Sequence, residues 1–117
     1  MSEAGLFIGW GVSARGREKA ALEVFDESIQ YWTRLQQEGQ IERFDVAVLA
    51  PHGGLGGIIV VRGTAEQIDA VRRSDEYRHL MVRGNLRIDG LEACDAWVDE
   101  GLAEVMAEYR NELTNLT

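Results

Sequence analysis

"PHGGLGGIIVVRG", residues 51–63, is the stretch on which the fold turns. Four glycines and a histidine precede the unbroken apolar run Ile58–Val61. A phosphate-binding glycine loop works by opening a helix, whose first N–H groups and dipole meet the anion. Here the glycines open a strand, and neither G-x-G-x-x-G nor a G-K-[ST] ending is present. The segment therefore reads as a hairpin connection between two strands, where glycine tolerates φ > 0. His52 sits at its tip, either as a solvated turn residue or as an imidazole carried on a glycine-rich lid.

On either side of this hairpin the hydrophobic period alternates between two and about 3.6. Residues 5–12, "GLFIGWGV", place Leu6, Ile8, Trp10 and Val12 on one side and Phe7, Gly9 and Gly11 on the other, a strand pattern. With Ser13 as a candidate cap, residues 14–38 carry Leu22, Phe25, Ile29, Trp32 and Leu35 at helical steps, and Gly39 is placed to end that helix. Residues 41–50 return to period two through Phe44, Val46 and Val48. After the third strand, at 57–62, Thr64 and Gln67 form a T-x-x-Q capping box. Ser74 caps a second, displaced helical segment. Residues 86–98 read as extended, with a bend at Gly90, and Asp99 caps a last helix over about 101–115.

The order strand, helix, strand, strand, helix, strand, extra helix makes two split strand–helix–strand units. The expected architecture is α+β: a ferredoxin-like sandwich over residues 1–117, with helices on one face of a four-stranded antiparallel sheet. Phe7, Gly9 and Gly11 are small enough, as a group, for a helix to approach closely. That leaves the Leu6–Ile8–Trp10 side for a further layer, and the apolar run 58–61 has no polar side at all. A second copy of the chain is the simplest cover, so a homodimer through the sheet face is expected, with Trp10 at its dry surface.

Composition narrows the function classes. The chain has 117 residues, 45 % hydrophobic and 27 % charged, as a globular protein has. Its net charge is −8, and residues 88–117 hold eight acids against one base, Arg110. An acidic balance argues against a nucleic-acid partner. No apolar run is long enough for a membrane span. The N-terminal segment lacks a basic region ahead of its apolar run, so no secretory signal is read. Cys94 is the only cysteine, which leaves no intrachain disulfide and no cysteine-based zinc site. A buried structural thiol and a cytoplasmic location are the corresponding expectations.

The element order and the segment "TAEQIDAVRRSDEYRHL", residues 64–80, resemble the dimeric α/β barrel superfamily, where a short helix after the third strand leads to Ser-x-x-aromatic. That resemblance implies a sheet-to-sheet dimer and a ligand pocket between the sheet and the helices of one subunit. The superfamily includes cofactor-independent monooxygenases, haem-degrading enzymes, polyketide cyclases and muconolactone isomerases, and fold does not choose among them. In the haem-degrading members, aligning Ser-x-x-aromatic puts Met81 where the iron-ligating histidine belongs. His79 lies two residues away on another helical face, so haem is not expected. No other cofactor and no metal site is read.

The candidate ligand contacts are Trp10, Trp32, Tyr77 and His52, large or polar-tipped side chains on faces expected to point inward or at the loop tip. His52, Tyr77 and His79 are the candidate catalytic groups. Arg72, Arg73, Arg78, His79, Arg83 and Arg87 read either as an anion site or as an exposed face laced with Asp–His–Arg pairs. The leading expectation is a homodimeric protein that binds a partly apolar small organic molecule. The alternatives are a cofactor-independent monooxygenase, cyclase or isomerase on an aromatic or polyketide-like substrate, and an interaction module without a ligand. Leu102, Met106, Tyr109, Leu113 and Leu116 form a seam on the last helix, expected to dock on the body or on the partner.

Overall fold

Four strands pair antiparallel in the order β2-β3-β1-β4, where β1 is Ala4–Trp10, β2 Arg43–Val48, β3 Gly57–Gly63 and β4 Glu92–Trp97. Helices α1 (Glu18–Gln37), α2 (Ala65–Arg73) and α3 (Asp75–Asn85) connect them, and α4 (Asp99–Leu116) follows β4. This computed structural model describes residues 2–116. The arrangement is the expected ferredoxin-like α+β sandwich. None of the helices described is long and apolar enough to cross a membrane.

Local chemistry explains most boundaries. Thr64 Oγ1 accepts from Gln67 N at 3.1 Å and Gln67 Oε1 accepts from Thr64 N at 2.9 Å, completing the capping box. Ser74 ends α2 and caps α3, its hydroxyl accepting from Tyr77 N. At the end of α1, Gly39 N donates to Gln36 O and Gln40 N donates to Leu35 O, a Schellman closure. Two starts differ from expectation. Ser13 does not cap α1 but forms a bridge with Ile88, and the helix begins at Glu18. Asp99 is the first residue of α4, and its carboxylate faces Arg62 at 3.4 Å and Arg43 at 3.8 Å.

The sheet is turned over relative to the expectation from β1. Leu6 and Ile8 of β1 and Ile59 and Val61 of β3 face the helices and are almost fully buried against Val24, Trp32, Leu35, Ile68, Val71 and Leu80. Trp10 lies on this helix side too, not at a surface between copies. A helix layer stands off a sheet by a gap that side chains must fill. Branched side chains fill that gap to native density, whereas glycines would leave it void. Along α1 the inward stripe is Ala21, Val24, Tyr31, Trp32 and Leu35, and Leu22 is 67 % exposed.

The other face carries Phe7 of β1 and Ile58 and Val60 of β3, flanked by Ala47, Cys94 and Ala96. None of these belongs to the core cluster. Cys94 is exposed, not buried, because it sits on edge strand β4 and points to this uncovered side. Nor does α4 dock on the body: among its described residues only Gly101 is buried, and Leu113 is 63 % exposed. A Cβ on Gly101 would lie 1.8 Å from the Glu3 carbonyl oxygen, so the helix start is pressed against the chain entering β1.

Candidate functional site

The tight half of the core lies around Trp32. Its indole is wholly buried, edge-to-face with Tyr31 at 4.7 Å and tilted against Tyr77 at 6.1 Å. Among the described residues, the Trp32 indole N–H is the buried side-chain polar atom without a hydrogen-bond partner. Such a group costs about 1–3 kcal/mol. Burial pushes the Tyr77 and Tyr31 hydroxyls above the ordinary tyrosine range.

Toward the N-terminus of α1 the same layer opens. Small residues face inward there: Ala21 and Ser28 on α1 and Gly84 on α3. They leave a cavity of about 410 Å³ between α1, α3 and the sheet, within the size range of small-molecule sites. Its walls are Ile8 and Trp10 of β1, Val24 and Phe25 of α1, Ile59 of β3, Leu80 and Met81 of α3, and Ile88 and Leu91 beyond it. Trp10 meets Phe25 edge-to-face at 5.7 Å. Leu22 and Val48, both well exposed, also line it. Three polar side chains reach the cavity: Ser13, Glu18 and Ser28.

Of the four ligand contacts expected from sequence, Trp10 lines this cavity and Trp32, Tyr77 and His52 do not. Trp32 and Tyr77 pack together in the tight half. His52 is exposed in the β2–β3 connection, with Nδ1 2.7 Å from the Ala50 carbonyl oxygen. His79 is exposed on α3. The loop stays tied to the cavity end of the sheet, since Gly56 N donates to Trp10 O and Leu49 N donates to Gly56 O.

The arginine cluster is laced with pairs. Arg72 meets Asp95 at 2.9 Å and Asp69 at 3.7 Å, Arg73 meets Asp69 at 2.9 Å, and Arg78 meets Asp75 at 3.3 Å. Arg83 binds both carboxylate oxygens of Glu27 across to α1. Arg87 donates to the Arg83 carbonyl. An external anion would have to displace these partners.

Sequence reasoning missed Ser13, Glu18, Ser28, Gly84 and Leu91. The available signal was the stripe Ala21, Val24, Phe25, Ser28 at steps of three, one and three. It mixes small with large residues where a core helix face would be large throughout.

No family model matches the chain, and no curated protein matches it by sequence. Solved structures do match in fold. A dimeric protein of unknown function and ferredoxin-like fold from Bacteroides fragilis superposes with a TM-score of 0.61 at 8 % identity, over 81 % of this chain and 95 % of that one. SnoaB, a cofactor-independent oxygenase from Streptomyces nogalater, gives 0.54 at 8 % identity, over 83 % and 94 %. At such identities the likeness is one of architecture: the chain has the ferredoxin-like fold, in keeping with its resemblance to the dimeric α/β barrel superfamily.

Proposed function

We propose that this protein is a homodimeric binding protein for a partly apolar small organic molecule, held in the cavity between α1, α3 and the sheet. The observation that carries this reading is the cavity itself, walled by Trp10, Phe25, Met81 and aliphatic side chains and kept open by Ala21, Ser28 and Gly84. The lining has no histidine, cysteine, lysine or tyrosine, and its single ionisable side chain is Glu18. It thus offers a ligand contact area without a nucleophile beside a base, which favours binding over covalent catalysis.

The dimer part of the reading rests on two surfaces. Phe7, Ile58 and Val60 lie on the sheet face that the three connecting helices leave uncovered. The α4 seam exposes Leu102, Tyr109 and Leu113. A second copy buries both, and the Bacteroides fragilis protein of like fold is described as dimeric.

The test uses a neutral apolar fluorophore, N-phenyl-1-naphthylamine. Saturable enhancement at one probe per chain is expected. Gly84→Leu, which fills the cavity, should abolish it while far-UV circular dichroism is unchanged. Equal enhancement in wild type and Gly84→Leu would rule the cavity out as the binding site.

A further inference from the structure

The polar groups of the cavity are few, and the charge among them is of one sign. Resting on the binding reading above, we infer that the ligand is an apolar amine: an elongated hydrocarbon or ring body carrying a protonated nitrogen at the end that meets Glu18.

Among the described residues, Glu18 is the only charged side chain in the lining, and no Lys, Arg or His lines it. One carboxylate oxygen, Oε2, accepts from Gly16 N at 2.9 Å. That bond holds the group at the mouth of the cavity. Oε1 has no hydrogen-bond partner among the described residues. A carboxylate oxygen accepts only, so its complement is a donor, and an ammonium group is the strongest donor that also neutralises it. A carboxylate or phosphate ligand would meet repulsion there instead. Arg15, Arg17 and Lys19 flank Glu18 along the chain, but none of them lines the cavity.

The body of the ligand follows from the helix. Glu18, Ala21, Leu22, Phe25 and Ser28 lie along one face of α1. Ten residues of helix separate Glu18 from Ser28, roughly 15 Å along the axis. Between the two polar ends lie Ala21 and Phe25 from α1, with Trp10 across from Phe25. An extended ten-carbon chain suits that length, whereas two or three fused rings alone fall well short of it. The Ser28 hydroxyl, half-buried in mid-helix, makes no hydrogen bond among the described residues. A serine there ordinarily bonds back to the carbonyl four residues earlier. It is available to a polar group at the far end of the ligand.

The experiment compares decylamine, decanol and decanoate as competitors of N-phenyl-1-naphthylamine at about 0.15 M salt, where screening confines charge effects to about 8 Å. Decylamine is expected to bind at least tenfold more tightly than decanoate, with decanol between them. Glu18→Gln should bring decylamine to the level of decanol and leave decanol unchanged. The chain holds 20 acids, so an amine preference owed to overall charge would survive the loss of one. A preference that persists in Glu18→Gln overturns the assignment. Decanoate binding as tightly as decylamine overturns it too, and leaves the binding reading intact. Failure of the fluorophore itself to bind overturns the binding reading instead.

Discussion

Trp10 and Gly57 are cross-strand partners, and the Trp10 ring lies over the place where a side chain at 57 would stand. A Cβ on Gly57 would come within 2.2 Å of Trp10 Cζ2. The glycine thereby leaves room for the indole, which packs edge-to-face with Phe25 at 5.7 Å and forms one wall of the cavity. Gly57→Ala should displace the ring, cost about 1–3 kcal/mol of stability as overpacked cores do, and weaken fluorophore binding. Near-UV circular dichroism reports the indole. An unchanged spectrum and affinity would mean that the ring does not need this space.

Helix propensity alone makes Gly101→Ala stabilising by about 1 kcal/mol. The contact with the Glu3 carbonyl reverses the sign, because the new methyl would sit 1.8 Å from that oxygen. The substitution should detach the start of α4. Limited proteolysis should then cut within 99–116 in the variant and leave the rest of the chain whole. A higher melting temperature in Gly101→Ala would show that the close approach is not kept in solution.

Placing a charge on the uncovered sheet face should separate the copies. Val60→Glu would bury a carboxylate in the proposed sheet-to-sheet contact, at several kcal/mol, so sedimentation should show a dimer for the wild type and a monomer for the variant. Leu113→Ala should leave the isolated chain almost unaffected, since that leucine is 63 % exposed. It should weaken the dimer by tenfold or more if a second copy covers the seam. Trp10→Asp, by contrast, should unfold the cavity end of the molecule and says nothing about assembly.

The raised Tyr77 and Tyr31 pKa values predict alkaline sensitivity. Burial raises each in the folded state above the ordinary value of 10.0. Unfolded tyrosine therefore loses its proton first as pH rises. The stabilisation is whole below pH 10 and is lost as pH climbs through the folded pKa. Melting temperature should fall above pH 10 in the wild type, and less steeply in Tyr77→Phe. Parallel pH curves for the two would remove Tyr77 as a contributor.

The Thr64 cap makes a local prediction. Thr64→Ala removes the acceptor for Gln67 N and should cost about 1 kcal/mol. Thr64→Ser should restore most of it in a denaturant melt. A neutral Thr64→Ala would mean that Gln67, which also donates to the Gly39 carbonyl at 3.0 Å, holds the helix start alone.

Much of the candidate site lay outside what single-residue reading could find. Trp10, Trp32 and Tyr77 stood out as large side chains, and all three point into the helix–sheet layer, Trp10 against its expected place on the dimer face. Whether such a residue packs or lines a space depends on what stands opposite. Trp32 meets Tyr31 and Tyr77 and is sealed in, whereas Trp10 meets the end of α1 where Ala21 and Ser28 are too small to close the gap. Small residues mark a cavity, and they are the ones a search for chemistry passes over.

What the sequence determined by itself is local. Period two and period 3.6, the Thr64–Gln67 box, the Ser74 cap and the Gly39 stop act within a few residues, so strands and helices fall close to their expected places. Their order then leaves few topologies open. The tertiary structure decided which face of β1 meets the helices. Both sides of that strand are apolar, so alternation could not choose. The choice went to Leu6 and Ile8 because only branched side chains fill the space under a helix layer. It decided also that α4 stands off the body, since a seam records that a helix has an apolar side and not what lies against it.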